Sequence, residues 1–348
     1  MLAIVGTVGV PANYGGFETL VENLLDEADA PVQVYCSGKH YSNKLHTYKN
    51  AHLKYVNLAA NGPQSILYDV VSIFRAVRSG ATVLLVLGVS GALVLPLVRL
   101  FSSVKIVSNI DGLEWKRDKW SWPTKKFLKL SEWLAVKFSH SVIADNQAIS
   151  DYVSCEYGKE SAVIAYGGDH AVVRPVSPSD DDYSFCVCRI EPENNIHKIL
   201  EAYKCAGAKL RFVGNWNSSD YGRDLKKQYS NLENIEIIGP VYDLDELFEL
   251  RSRCSIYVHG HSAGGTNPSL VEAMHFGKPI LSYDCSYNRA TTENCATYFK
   301  GVNSLIHILN DLSGSGVSNK SGEAMAEIAS RRYVWSVVKR QYQNICSS

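Results

Sequence analysis

Short apolar runs alternate with amphipathic stretches along almost the whole chain of 348 residues. Residues 1–5 and 83–87 are apolar throughout, whereas residues 17–25 carry apolar side chains at helical spacing. Fully apolar strands separated by helices are typical of parallel sheets that are covered on both faces. The pattern therefore predicts an α/β protein built from doubly wound sheets.

A polar interval divides this alternation into two series. Residues 172–183 contain prolines and consecutive aspartates and show no periodicity, which favours a linker. We predict an N-terminal domain over residues 1–171, a C-terminal domain over 184–330 and a last amphipathic helix over 331–348. The chain is long enough for two domains with substantial cores.

One uncharged segment, residues 79–98, resembles a membrane span. Gly88, Gly91 and Pro96 divide it into a short β-like run and a short helical run. We expect a buried strand followed by a helix, because neither part is long enough to cross a bilayer.

Composition excludes several other classes. Lys+Arg and Asp+Glu both number 35, so no global charge draws the chain to nucleic acid. The cysteines form no Cys-x-x-Cys pair, which argues against a zinc ribbon and favours reduced cytosolic thiols. The N-terminus also lacks the basic region and long apolar core of a secretory signal.

The glycine-rich stretch 262–274 predicts a strand end, a glycine turn and a helix. Asn267 suits the N-cap and Pro268 the first helical position. Gly264 and Gly265 let the main chain approach a ligand, and free N–H groups at the helix start favour an anion. Glu272 is predicted to lie on the side of this helix opposite its buried apolar residues. In that position it can accept hydrogen bonds from ribose hydroxyls. We predict a phosphate cradle; an ordinary crossover with a solvated Glu272 is the alternative.

A second glycine loop, residues 6–16, follows the first predicted strand. Such loops lie at the carboxyl ends of parallel strands, where open α/β sheets bind ligands. The loop lacks Gly-x-Gly-x-x-Gly and strand 32–36 ends without an acidic residue, so a dinucleotide site is not favoured. A plain surface turn at Gly15 and Gly16 is the alternative.

Four motifs, at residues 11–19, 109–117, 189–195 and 264–274, resemble those of bacterial rhamnosyltransferases of capsule and O-antigen assembly. These enzymes belong to the retaining glycosyltransferase family four, and the resemblance covers nearly the whole chain. It implies the GT-B fold, in which two doubly wound Rossmann-like domains face a central cleft and the last helix braces the first domain. It also implies transfer of L-rhamnose, with retention, from dTDP-L-rhamnose to a lipid-linked saccharide of the undecaprenyl-diphosphate type. The protein would then be cytoplasmic and peripheral on the inner face of the bacterial plasma membrane.

The resemblance also implies roles for single residues. Glu272 matches the ribose-binding glutamate, and Arg189 matches the arginine that clamps the donor diphosphate; a surface ion pair is the alternative for Arg189. Gly264 stands where many relatives have a glutamate, and Asn194 stands where a lysine is usual. The expected donor site comprises Gly15, Gly16, Arg189, Asn194, Gly264, Gly265, Thr266, Asn267, Ser269 and Glu272.

Asp111 and Glu114 follow a predicted strand and lie at its carboxyl end. Either carboxylate could orient the acceptor hydroxyl or stabilise positive charge on the sugar, with Gly16 beside the reacting groups. A turn-supporting role is the alternative for Asp111. No Asp-x-Asp pair follows a strand, so neither a metal nor another cofactor is expected; Arg189 and helix N–H groups would neutralise the diphosphate.

Residues 115–129 mix tryptophans with basic residues, as interfacial segments do. We expect acceptor and membrane contacts at Trp115, Lys116, Arg117 and Trp120. A solvated basic helix is the alternative.

Three other functions remain open at this stage. They are a transferase that uses a UDP- or GDP-sugar, a nucleotide-sugar epimerase, and a non-catalytic protein that binds nucleotide-sugars.

Overall fold

The computed structural model describes residues 1–12, 15–26, 31–117, 120–176, 181–315 and 319–347, and it forms two compact units. The first unit comprises Met1–Tyr166 with Ser336–Ser348, and the second comprises Gly167–Trp335. Residues 13–14 of the first glycine loop, 118–119 of the tryptophan-rich segment and 177–180 of the predicted linker lie outside the described residues.

The first unit alternates strands and helices as the sequence predicts. Its strands are β1 (Leu2–Val5), β2 (Val32–Ser37), β3 (Thr47–Tyr48), β4 (Ala51–Val56), β5 (Val83–Leu87), β6 (Lys105–Ile110), β7 (Ser141–Ala144) and β8 (Ala162–Val163). Its helices are α1 (Gly16–Leu24), α2 (Ser65–Arg78), α3 (Leu95–Phe101), α4 (Trp122–Phe138) and α5 (Gln147–Tyr157). The strand order is β3-β4-β2-β1-β5-β6-β7-β8, and β3 is antiparallel to β4 whereas the other pairings are parallel.

The second unit repeats the alternation on a fully parallel sheet. Its strands are β9 (Ser184–Val187), β10 (Leu210–Val213), β11 (Ile235–Ile238), β12 (Ile256–His259), β13 (Ile280–Tyr283) and β14 (Thr297–Phe299). Its helices are α6 (Ile196–Ala206), α7 (Asp220–Tyr229), α8 (Leu244–Arg253), α9 (Pro268–Met274), α10 (Ser286–Thr291), α11 (Val302–Ser315) and α12 (Asn319–Arg332). The strand order is β11-β10-β9-β12-β13-β14.

The last helix, α13 (Trp335–Ser347), belongs almost entirely to the first unit. The amide of Asn109, at the end of β6, donates to the Tyr342 hydroxyl at 2.5 Å. Lys105, at the start of the same strand, donates to the Ile345 carbonyl. Helix α13 therefore packs along β6.

Each unit has its own apolar core, which explains why the strands carry so few polar residues. In the second unit Leu200 and Tyr203 of α6 are buried together with Leu305 and Leu309 of α11. The segment 79–98 forms β5 and the start of α3, as predicted. Among the described residues no helix is both long and apolar enough to span a bilayer.

Candidate functional site

Two loops emerge side by side at the carboxyl edge of the second sheet, because β9 and β12 are neighbouring parallel strands. Ser262 donates to the Glu193 carbonyl from its main-chain N–H at 3.0 Å and from its hydroxyl at 2.7 Å. The Asn195 amide donates to the Gly260 carbonyl at 2.8 Å. The loop that carries Arg189 and the loop that opens the glycine turn are thus fixed against each other.

The glycine turn is open at its tip and fixed at its base. Gly264 has φ of +113°, and a Cβ built there would meet no atom within 4 Å. Gly265 is half-buried and Thr266 is buried. Asn267 caps α9 as predicted, because its side-chain oxygen accepts from the main-chain N–H of Ser269 at 3.2 Å. The turn therefore leaves free space beside its first glycine while Asn267 holds the helix start in place.

Arg189 and Asn194 have different surroundings in the neighbouring loop. Half of the Arg189 side chain is exposed, and its guanidinium lies 3.9 Å from the Glu191 carboxylate, too far for a tight ion pair. Asn194 is only 3% exposed, and its amide donates to the Arg189 carbonyl at 2.7 Å. Asn194 therefore supports the loop that presents Arg189, and its amide is not directed at solvent as a diphosphate contact would require.

Glu272 lies in a buried ion pair, so the solvated alternative is wrong. Its side chain is 16% exposed, and its Oε2 accepts from Nη2 of Arg251, a residue of α8 that is 5% exposed. Its Oε1 lies 3.4 Å from Nε2 of His170. Burial opposes ionisation of Glu272, but Arg251 and His170 outweigh it and hold the pKa of the carboxyl below its ordinary value.

Sequence reasoning missed both partners of Glu272. Arg251 lies in the last turn of α8, where a cation is usually solvated, and His170 lies far away along the chain. No local signal distinguishes either residue from a surface residue.

Two histidines stack at the start of the glycine turn. The rings of His259 and His261 are 4.4 Å apart and inclined by 12°. His259 is 1% exposed, and within the described part of the chain its ring nitrogens have no hydrogen-bond partner. Burial lowers the pKa of His259 to about 3, so its ring is neutral and serves as a flat support for His261.

The glycine loop of the first unit is held by the helix that follows it. Glu18 of α1 accepts from the Thr7 hydroxyl at 2.9 Å and from the main-chain N–H of Val8 at 2.7 Å. Gly15 has φ of +128°, and a Cβ there would lie 1.9 Å from a carboxylate oxygen of Glu18. Gly16 is the first residue of α1. The loop is therefore fixed where it meets the helix, and position 15 accepts only glycine without a shift of Glu18.

Asp111 and Glu114 differ in what surrounds them. Asp111 directly follows β6 at the carboxyl edge of the first sheet and is half-buried. Glu114 lies 3.1 Å from the Arg117 guanidinium and 3.4 Å from the Trp120 indole nitrogen. The Glu114 carboxylate is therefore engaged by two side chains of its own segment.

The tryptophans of the predicted interfacial segment and of α4 differ in their exposure. The Trp115 indole donates to the buried carboxylate of Glu132 at 3.1 Å, and Lys116 lies over the Trp115 ring. On α4, by contrast, Trp122 is 71% and Trp133 39% exposed. An outward aromatic surface therefore begins at Trp122, within the predicted segment 115–129, and continues to Trp133, which lies beyond that segment.

No group of three or more histidine, cysteine, aspartate or glutamate residues that could hold a metal ion occurs within the described residues.

Family comparisons agree with this division of the chain. Residues 1–169 match a family described as a domain of unknown function, DUF1972. Residues 172–302, which include Arg189, the glycine turn and Glu272, match the family described as Glycosyl transferases group 1. This second match lies within the second unit. No curated protein matches the chain.

Solved structures show which fold the two units form. Sucrose-phosphate synthase from Thermosynechococcus elongatus is 15% identical, with 99% of this chain and 97% of that chain covered and a TM-score of 0.79. HepE of Anabaena in complex with UDP is 15% identical, with 99% of both chains covered and a TM-score of 0.72. A glycosyltransferase from Rickettsia africae is 14% identical, with 99% of this chain and 96% of that chain covered and a TM-score of 0.72. The chain therefore has the GT-B fold, as the sequence predicted.

Proposed function

We propose that the chain is a glycosyltransferase that binds the nucleotide part of its donor on the second unit. The observation that carries the proposal is the fixed pair of loops at the carboxyl edge of β9 and β12, within the matched domain. One loop presents the exposed guanidinium of Arg189, and the other presents the open turn at Gly264. HepE, which has a similar fold, was solved with UDP and with UDP-glucose.

These groups suit a nucleoside diphosphate as leaving group. The planar fork of Arg189 can bind two phosphate oxygens, and the N–H groups of the glycine turn add further donors. Together they would stabilise the charge that develops on the diphosphate when the bond to the sugar breaks, without a metal ion. Glu272 would accept hydrogen bonds from the ribose of the nucleotide.

We further propose L-rhamnose from dTDP-L-rhamnose as the transferred sugar, with retention, and a lipid-linked saccharide as acceptor. This finer assignment rests on the four motifs that resemble rhamnosyltransferases. A UDP-sugar is the second candidate donor. The UDP complex of HepE favours a UDP-sugar. The carboxylate of Glu272 also favours it, because it can accept hydrogen bonds from both free hydroxyls of the ribose in UDP but from only one hydroxyl of the deoxyribose in dTDP.

On the first unit, Asp111 is proposed to orient the acceptor hydroxyl. In the transfer step the acceptor oxygen bonds to the anomeric carbon while the bond from that carbon to the diphosphate oxygen breaks. The proton of the acceptor passes to the departing diphosphate when both lie on the same face of the sugar. The resemblance also implies a role in transfer for Gly15 and Gly16, where an added side chain is expected to impair the reaction.

A peripheral membrane contact is proposed for the face formed by α3 and α4. Leu100 and Phe101 at the end of α3 are 73% and 78% exposed. Along α4, lysines accompany the exposed tryptophans: Lys126 lies 5.1 Å from the Trp122 ring, and Lys137 lies 4.6 Å from the Trp133 ring. Aromatic side chains next to cations are suited to the headgroup region of anionic lipids. This surface replaces Trp115 and Trp120 as the proposed contact.

The test is acceptor-dependent release of nucleoside diphosphate. Purified protein is incubated with dTDP-L-rhamnose or UDP-glucose, with and without a lipid extract that contains undecaprenyl-diphosphate-linked saccharides. Release that requires the lipid, together with a heavier lipid-linked saccharide in the mass spectrum, supports a transferase. Conversion of the donor sugar without lipid would show an epimerase, and binding without any turnover would show a non-catalytic protein; either result overturns the proposal.

A further inference from the structure

Two side chains from separate parts of the second unit lie against the Glu272 carboxylate. Arg251 reaches its Oε2 from the last turn of α8, and Nε2 of His170 lies 3.4 Å from its Oε1. His170 belongs to the 3₁₀ turn Asp169–Ala171, which precedes the sheet of this unit. Both oxygens of one carboxylate are thus approached by the protein.

The proton on His170 is placed by a third residue. The Trp335 indole, which can only donate, lies 3.0 Å from Nδ1 of His170. Nδ1 must therefore accept, and in the neutral ring the proton then resides on Nε2, the nitrogen that faces Glu272. The main-chain N–H of Trp335 donates in turn to Asp169 at 2.9 Å, which fixes the turn that carries His170.

Arg251 has few other interactions that could explain its burial. Its side chain is 5% exposed, and its Nε lacks a hydrogen-bond partner within the described residues. A buried cation needs a compensating charge, and Glu272 supplies it. Arg251 thereby keeps Glu272 ionised and fixes the direction of its Oε2.

We infer that Arg251 and His170 are positioning residues of the donor site, which hold the Glu272 carboxylate ionised and oriented for the hydroxyls of the nucleotide sugar ring. The inference rests on the proposed function, in which Glu272 binds that ring. A carboxylate offers about four acceptor positions, and Arg251 and His170 occupy one on each oxygen. The remaining position on each oxygen is left for ligand hydroxyls. Fixing the carboxylate in advance removes the ordering cost that a free glutamate side chain would pay on binding.

Calorimetric titration with UDP, and in parallel with dTDP, tests this inference. Arg251→Met removes the cation, and Arg251→Lys keeps it without the planar fork. His170→Phe removes the second donor. The matched control is Arg253→Met, which changes a 58% exposed arginine of the same helix that pairs with Asp181. We expect Arg251→Met to weaken binding about 10- to 100-fold, since hydrogen bonds to a charged group are lost, and Arg253→Met to leave affinity unchanged.

The pH profile separates positioning from a general structural effect. The titratable groups beside the pair are His170, Cys254 and Tyr257; burial raises the pKa of Cys254 to about 12 and holds that of Tyr257 well above its ordinary value, so both stay neutral. Without Arg251 the pKa of Glu272 rises, so the carboxylate becomes protonated at a higher pH. In a titration from about pH 8 down to about pH 5, the nucleotide affinity of Arg251→Met should therefore begin to fall at a higher pH than that of the wild-type protein. Arg251→Lys should restore most of the wild-type profile. Glu272→Gln, which cannot ionise, shows how the nucleotide phosphates alone respond to pH.

The outcomes distinguish the inference from the proposed function. If the wild-type protein binds neither nucleotide, the proposed function fails. If Glu272→Gln weakens binding but folded Arg251→Met keeps the wild-type affinity and pH profile, the positioning role is wrong. Should Arg251→Met fail to fold, His170→Phe gives the same decision, because it is expected to weaken nucleotide binding whereas Arg253→Met is not.

Discussion

Replacing Glu272 by alanine is expected to destabilise the second unit as well as to weaken nucleotide binding. The substitution removes the carboxylate that faces Arg251, which is 5% exposed and cannot turn into solvent without unpacking α8. Sequence alone predicts a neutral effect on folding, since it places Glu272 at the surface. The ion pair reverses that expectation.

The magnitude follows from the burial of both partners. Breaking a buried pair by removing one member typically costs about 3–5 kcal/mol, because the other charge is left uncompensated. That is a large part of the roughly 5–15 kcal/mol that stabilises a domain. Replacing both members, as in Arg251→Met with Glu272→Leu, should cost much less, since no buried charge then remains.

Hydrogen exchange measured by mass spectrometry is the suitable assay. The chain forms two compact units, so a single global transition would not report on the second unit alone. Peptides from α8 and α9 of Glu272→Ala should exchange much faster than those of the wild-type protein, whereas peptides from β1 and β5 should not change. If Glu272→Ala folds and the opening free energies of its α8 and α9 peptides lie within about 0.5 kcal/mol of the wild-type values, that result refutes the argument.

The same pair makes a signed prediction for pH. The pKa of Glu272 is depressed in the folded chain, so its contribution to stability is complete above the ordinary carboxyl value of 4.5 and is lost as pH falls through the lower folded value. The stability difference between the wild-type protein and Glu272→Gln should therefore be constant at neutral pH and shrink under acid conditions. A difference that grows as pH falls would contradict this sign.

Four further outcomes can be checked. Gly15→Ala should reduce sugar transfer much more than the melting temperature, because its Cβ would displace the Glu18 carboxylate and with it the loop; transfer near the wild-type rate would show a plain surface turn. Asp69→Asn should stabilise the first unit by roughly 2–4 kcal/mol at pH 8 in urea unfolding, since burial raises the Asp69 pKa to about 7 and ionising the carboxyl above that pH costs stability; the gain should disappear below about pH 4, and a loss at pH 8 would contradict it. Sedimentation with anionic vesicles should be weakened by Trp122→Ser but not by Tyr242→Ser, although the two side chains are similarly exposed at 71% and 68%; equal effects would remove the proposed membrane face. Transfer should survive prolonged chelation with EDTA, and loss that magnesium restores would show a metal requirement.

Elements that depend on local pattern could be predicted from the sequence. The strand and helix of residues 79–98 followed from the glycines and proline within them, and the start of α9 followed from Asn267 and Pro268. In these cases hydrophobic periodicity and capping chemistry act within a few residues, so neighbouring residues alone determine where the element begins and ends.

Interactions between distant residues could not be predicted in this way. Arg251 and Glu272 lie 21 residues apart, and nothing in the spacing shows that α8 and α9 bring them together. Trp115 belongs to the predicted interfacial segment, yet its indole turns to Glu132, 17 residues further on. Long polar side chains can reach several neighbours, and the fold decides which one they meet.

The central claim is that Glu272 binds the nucleotide of a sugar donor on the second unit, and calorimetric titration of wild-type protein and Glu272→Gln with UDP and dTDP tests it most directly. We predict that the wild-type protein binds at least one of the two nucleotides, and that Glu272→Gln, which keeps the size of the side chain but not its charge, weakens binding about tenfold or more. Equal affinity of a folded Glu272→Gln, or no binding of either nucleotide by the wild-type protein, would contradict the account.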